Sequence, residues 1–117
     1  MSMKIVKIIL SPEAEKVYKY LNVESQNSKT ERMILKAVNY KIDLIKQNPH
    51  YGDPIAKNLI PEEYIIKYSI TNLFRVELPN FWRMVYSLVD GGNNIEIVSF
   101  VLAIKNVNSA NFCYSIL

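Results

Sequence analysis

The stretch Asn72-Leu-Phe-Arg-Val-Glu-Leu-Pro-Asn-Phe-Trp-Arg-Met-Val-Tyr-Ser-Leu-Val89 decides how this chain folds. Leu73, Phe74, Val76 and Leu78, then Trp82, Met84, Val85, Tyr86, Leu88 and Val89, make two β-rich runs around a Pro79-Asn80 turn signal, which predicts a β-hairpin. Side chains alternate along a strand, so Arg75 and Glu77 share one face of the first run, and Arg83, Val85 and Ser87 share one face of the second. An unpaired guanidinium is costly in a packed core. The arginines are therefore expected on the wetter face of the sheet or at its rim, where they would make a cationic surface suited to phosphate.

Upstream, Lys4 to Leu10 is β-branched and bounded by Ser11-Pro12, which predicts a strand. Ser11 is then an N-cap with Pro12 at the first helical position and Glu13 and Glu15 in the first turn. Ala14, Val17, Tyr18 and Leu21 follow at helical spacing to about Val23, and the other face, with Lys16, Lys19 and Asn22, reads as solvated surface. Ser28 and Glu31 form a capping box opening a longer helix. Its apolar stripe is Ile34, Leu35, Val38, Ile42 and Ile45, and Gln47-Asn48-Pro49 ends it. Two such helices joined by a few polar residues predict an antiparallel helical hairpin against one sheet face. Lys29, Arg32, Lys36, Lys41 and Lys46 are expected on its exposed side as solubilising charge.

Pro49 to Pro61 has the punctuation of a long loop with a Gly52-Asp53-Pro54 turn. It holds the single histidine, His50, which reads as a surface residue rather than a general base because no partner is visible. Pro61-Glu62-Glu63 signals a short third helix through Tyr64, Ile65 and Tyr68, ending near Ser69; a strand through Tyr64 to Ile70 is the alternative. After the hairpin, Asp90-Gly91-Gly92-Asn93-Asn94 is a turn signal. Ile95 to Ile104 is the most hydrophobic run and predicts a central strand buried on both faces. The tail from Lys105 to Leu117 keeps Phe112, Tyr114, Ile116 and Leu117 apolar and is expected to fold back onto the body.

At 117 residues, half of them hydrophobic and 21% charged, the chain matches a single globular domain spanning 1–117 rather than a disordered segment. A formal charge of +3 and a pI of about 8.9 tolerate a polyanionic partner without demanding one. One cysteine, Cys113, cannot close an internal disulfide, and no apolar run reaches the ~20 residues of a membrane span, so a cytoplasmic location is expected. No His/Cys/Asp spacing suggests a metal, no glycine-rich loop joins a strand to a helix, and no nucleophile elbow is present. The chemistry left is metal-free and needs no cofactor: guanidinium and ammonium groups acting on phosphate, with aromatic rings stacking on unpaired bases.

Leu73-Phe74-Arg75-Val76-Glu77-Leu78-Pro79, followed by Trp82-Arg83-Met84-Val85-Tyr86, resembles the central signature of the RelE/ParE superfamily of toxin-antitoxin toxins. The resemblance implies an α+β fold: a twisted, mainly antiparallel sheet, an N-terminal helical hairpin packed on one face, and a concave cationic surface on the other. It implies a toxin that cleaves ribosome-bound mRNA by 2′-hydroxyl attack on the scissile phosphate, held silent by a cognate antitoxin protein that covers the cationic face. Arg83 aligns with the strand arginine that contacts the scissile phosphate, and Arg75 stands where a basic strand residue is expected. Lys105 loosely matches the basic position past the central strand, Tyr114 matches the C-terminal tyrosine, and Lys57 matches a loop lysine near the nucleic-acid face.

Two positions depart from that pattern. Glu77 stands where the RNA-cutting members tend to carry a second lysine, and a carboxylate there repels phosphate or pairs with Arg75 or Arg83. The tail lacks the usual basic-to-tyrosine spacing, with Val107 in the slot where the tyrosine falls in relatives. Two further readings therefore stand beside the nuclease: a ParE-like gyrase inhibitor without RNA chemistry, and a catalytically degenerate module that binds an antitoxin.

Overall fold

The computed structural model describes residues 5–90 and 96–106. Chain order is β1 (Ile5–Leu10), α1 (Pro12–Glu24), α2 (Lys29–Gln47), β2 (Asp53–Pro54), a 3-10 turn (Lys57–Leu59), α3 (Glu62–Tyr68), β3 (Phe74–Glu77), β4 (Trp82–Asp90) and β5 (Glu96–Asn106). The strands form one five-stranded sheet in the order β1-β5-β4-β3-β2. β1 runs parallel to β5, while β2, β3, β4 and β5 pair antiparallel. The result is an α+β fold in which a strand precedes the helix pair. The hydrophobic run read from Ile95 is an interior strand, with β1 on one side and β4 on the other.

Both long helices begin as their caps dictate. Ser11 Oγ accepts the Ala14 amide at 3.0 Å. Ser28 Oγ accepts the Glu31 amide at 3.4 Å and donates to the Glu31 carboxylate at 2.6 Å. The two helices are clasped side by side by Tyr18 Oη donating to Asn39 Oδ1 at 2.6 Å, and Arg32 Nε donates to the Ser25 carbonyl where the connection turns. Ala14, Leu21, Ile34, Val38 and Ile45 are fully buried and meet Phe74, Val76, Met84, Tyr86 and Ile104 from the sheet. Burying such a set supplies about 2 kcal/mol per large aliphatic or aromatic side chain.

The second face of the sheet departs from expectation. Val85 and Leu73 point away from the long helices and are buried under Ile60, Tyr64 and Ile70. The face expected to be open and cationic is thus partly roofed by α3 and its flanking loop. Tyr64 faces inward and Ile66 is exposed, an amphipathic pattern that settles the helix-or-strand alternative in favour of a helix. Ser69, in the left-handed region at φ 55°, ends α3.

The hairpin turns one residue later than its sequence suggests. Asn80 and Phe81 both have positive φ, 55° and 63°, and the Trp82 amide donates to the Pro79 carbonyl at 3.2 Å. This is a tight mirror-image turn whose backbone twist matches the flanking strands. A register shift between Val85 and Tyr86 marks a bulge against β5.

Candidate nucleic-acid interface

β-Pairing places the basic residues. Glu77 lies opposite Arg83, and Arg83 lies opposite Lys105 on β5. Arg75 lies opposite Val85 on β4 and opposite Asp53 on β2. Arg75, Glu77, Arg83 and Val85 share the second sheet face, as alternation along the strands requires.

The two arginines occupy different settings. Arg83 Nη2 contacts Glu77 Oε1 at 3.3 Å, with 24% of the Arg83 side chain and 66% of the Glu77 side chain accessible. The pairing that the Glu77 departure suggested is thus present, and Arg83 is not a free cation. Arg75 has no carboxylate within ion-pairing distance among the described residues, and its Nε is buried without a hydrogen-bond partner. Arg75 instead lines a cleft of about 300 Å3 at the β2 edge of the sheet, together with Lys41, Tyr51, Gly52, Asp53 and Glu77.

That cleft uses two residues the sequence did not single out. Lys41, expected on the solvated side of α2, is half-buried, and its Nζ donates to Tyr51 Oη at 2.8 Å. The same ammonium stands 5.2 Å from the Tyr51 ring centroid, at the hydroxyl end of the ring. Position 41 sits at the margin of the apolar stripe, between Val38 and Ile45, which is the signal that would have separated it from the outer lysines Lys29, Arg32, Lys36 and Lys46.

Tyr86, the final residue of the Trp82-Arg83-Met84-Val85-Tyr86 run, does not line the cleft but holds Gly52, which does. Its hydroxyl donates to the Pro49 carbonyl at 2.8 Å and accepts the Gly52 amide at 2.9 Å, and its ring stacks on Phe74 at 5.2 Å. Burial pushes the Tyr86 hydroxyl above its ordinary pKa, an effect opposed by the Gly52 hydrogen bond. Gly52 is required for room: a Cβ there would stand 2.9 Å from Tyr86 Cε1 and 3.0 Å from the Arg75 carbonyl.

The other anticipated residues fall elsewhere. Lys57 is exposed at the start of the 3-10 turn and is not among the residues lining the Arg75 cleft. His50 is exposed, with its ring edge-on to Phe74 at 5.7 Å, in keeping with its reading as a surface residue. Lys105 is placed by its backbone register alone, and Tyr114, with Val107 and the rest of the tail, lies outside the described residues. Among the described residues, no group of three or more His, Cys, Asp or Glu side chains is arranged to hold a metal, and no helix is long and apolar enough to cross a membrane. No protein-family model matches the chain, and neither a curated protein nor a solved structure does.

Proposed function

We propose that this chain is a RelE/ParE-like toxin of a toxin-antitoxin pair, acting in the cytoplasm on mRNA held by the ribosome. The observation that carries the reading is the register of β4 against β5: Arg83 stands directly opposite Lys105, with Arg75 on the same sheet face one strand away. Two basic residues at facing register positions suit a phosphodiester whose own 2′-hydroxyl is the nucleophile. The 2′-oxygen adds to phosphorus as the P–O5′ bond breaks, giving a 2′,3′-cyclic phosphate; the 2′-hydroxyl proton passes to solvent and the departing 5′-oxygen takes one from it. The cations align the groups and stabilise charge on the phosphorane, each contributing roughly 2 to 4 kcal/mol by analogy with oxyanion donors. In this reading Arg83 and Lys105 hold the scissile phosphate, Arg75 and Lys57 hold flanking backbone, Tyr114 assists at the reacting atoms, and a cognate antitoxin segment covers the surface. Neither metal nor cofactor takes part.

A second reading has one specific observation in its favour. The Arg83-Glu77 contact occupies part of the guanidinium that phosphate would need, which favours a module that binds its target or antitoxin without cutting RNA. Inducing the chain and mapping RNA 5′ ends separates the two. Cuts within translated codons that vanish with Arg83→Ala carry the nuclease; intact RNA with damaged DNA indicates gyrase inhibition instead, and intact RNA without growth arrest indicates a degenerate module.

A further inference from the structure

We propose that the cleft at the β2 edge is a ribonucleotide subsite, in which Lys41 and Arg75 hold one phosphodiester and the Tyr51 ring carries an adjoining base; this deepens the nuclease reading and rests on it for its biological setting. Three separate segments converge there: α2 supplies Lys41, the loop supplies Tyr51, and the β2-β3 pair supplies Asp53, Arg75 and Glu77. Convergence of polar groups from distant parts of a chain into one concavity is the usual form of a binding site.

The charge pattern selects the ligand. The cleft presents two cations and two carboxylates, so it offers no net attraction to a free phosphate dianion. A phosphodiester carries a single charge, and a ribonucleotide adds hydrogen-bond donors, the 2′-hydroxyl and base N–H groups, for Asp53 and Glu77 to accept. Lys41 and Arg75 have no carboxylate partner among the described residues, and the buried Arg75 Nε–H lacks an acceptor. Lys41 keeps two N–H groups beyond the one given to Tyr51. Base stacking on an aromatic ring tolerates any base, so the subsite would grip the strand without reading its sequence. Glu77 lines the cleft and touches Arg83, so a strand seated here runs toward the Arg83-Lys105 pair.

The test is titration of the full chain with the dinucleoside monophosphate ApA, its deoxy counterpart and inorganic phosphate, followed by amide NMR shifts at Gly52 and Glu77. ApA is expected to give saturable shifts at both amides. Inorganic phosphate and the deoxy dinucleotide should bind at least about tenfold more weakly, and Lys41→Met should raise the ApA Kd by about tenfold or more, the scale of one lost charged hydrogen bond. Tyr51→Phe keeps the ring and removes the hydroxyl that Lys41 holds; it should retain most of the affinity that Tyr51→Leu loses. The inference is overturned if ApA leaves Gly52 and Glu77 unshifted, if inorganic phosphate binds as tightly as ApA, or if a folded Lys41→Met chain binds ApA unchanged. RNA mapping keeps the two proposals apart. Arg83-dependent cleavage at the wild-type rate in Lys41→Met removes the subsite and leaves the nuclease, whereas ApA binding without any cleavage removes the nuclease and leaves the subsite.

Discussion

The Tyr86 hydroxyl accepts the Gly52 amide across 34 residues of chain, and this one bond ties the interior of the sheet to the loop that bears Tyr51. Tyr86→Phe leaves the Gly52 N–H and the Pro49 C=O without their partner. A loss of about 1 to 3 kcal/mol in unfolding free energy is expected, read by urea denaturation. Gly52→Ala forces a methyl against the Tyr86 ring and the Arg75 backbone and should cost a similar amount by overpacking. Equal stability of both variants and wild type would show that the latch contributes nothing.

Alkaline pH tests the same residue independently. The Tyr86 hydroxyl is raised above its ordinary value, so the folded state binds its proton more tightly than the unfolded chain does. Its stabilisation is full below the unfolded pKa of about 10 and is lost as pH rises through the folded-state value. Tyr86→Phe should therefore flatten the fall in stability above pH ~10 while leaving the profile near neutrality unchanged in shape.

Asn72 continues the β3-β4 ladder with its side chain. Its amide donates to the Leu88 carbonyl at 2.9 Å and its carbonyl accepts the Leu88 amide at 2.8 Å and the Ser87 hydroxyl at 3.1 Å. Asn72→Asp cannot donate to Leu88 and Asn72→Ala makes none of the three bonds. Losses of about 1 and about 2 kcal/mol respectively are expected from calorimetry, since Ser87 is fully buried and cannot turn to water.

Phe81 holds φ at 63° while 68% of its surface is exposed. A bulky residue in that region is strained and gains little here from burial. Phe81→Gly should produce an Asn-Gly mirror-image turn and raise stability by roughly 1 kcal/mol, seen as a higher Tm. A fall in Tm would mean that the ring packs in solution.

Glu77 restrains Arg83 with little effect on the fold. The Glu77 carboxylate side chain is two-thirds exposed, so Glu77→Gln should change stability by less than about 1 kcal/mol. Releasing the guanidinium should strengthen binding of single-stranded RNA and steepen its salt dependence, measured by fluorescence anisotropy at several ionic strengths. Unaltered RNA affinity would show that Arg83 does not meet the backbone.

Elements governed by local chemistry were legible in the chain itself. Ser11 and Ser28 cap their helices, Ala14, Leu21, Ile34, Val38 and Ile45 form the inward stripes, and alternation put Arg75, Glu77 and Arg83 on one sheet face. Caps, stripes and alternation each depend on residues within a few positions of one another, so periodicity suffices to read them.

What tertiary structure alone decided is where the charges meet. The roof of Ile60, Tyr64 and Ile70 over Val85, the choice of Arg83 rather than Arg75 as the partner of Glu77, and the gathering of Lys41, Tyr51 and Arg75 into one cleft depend on strand register and on how distant segments pack together. Partners such as Lys41 and Arg75 are 34 positions apart, and no spacing rule links them. The free energy that brings them together is that of apolar packing beneath, so the placement of these cations follows from the core rather than from their own pattern.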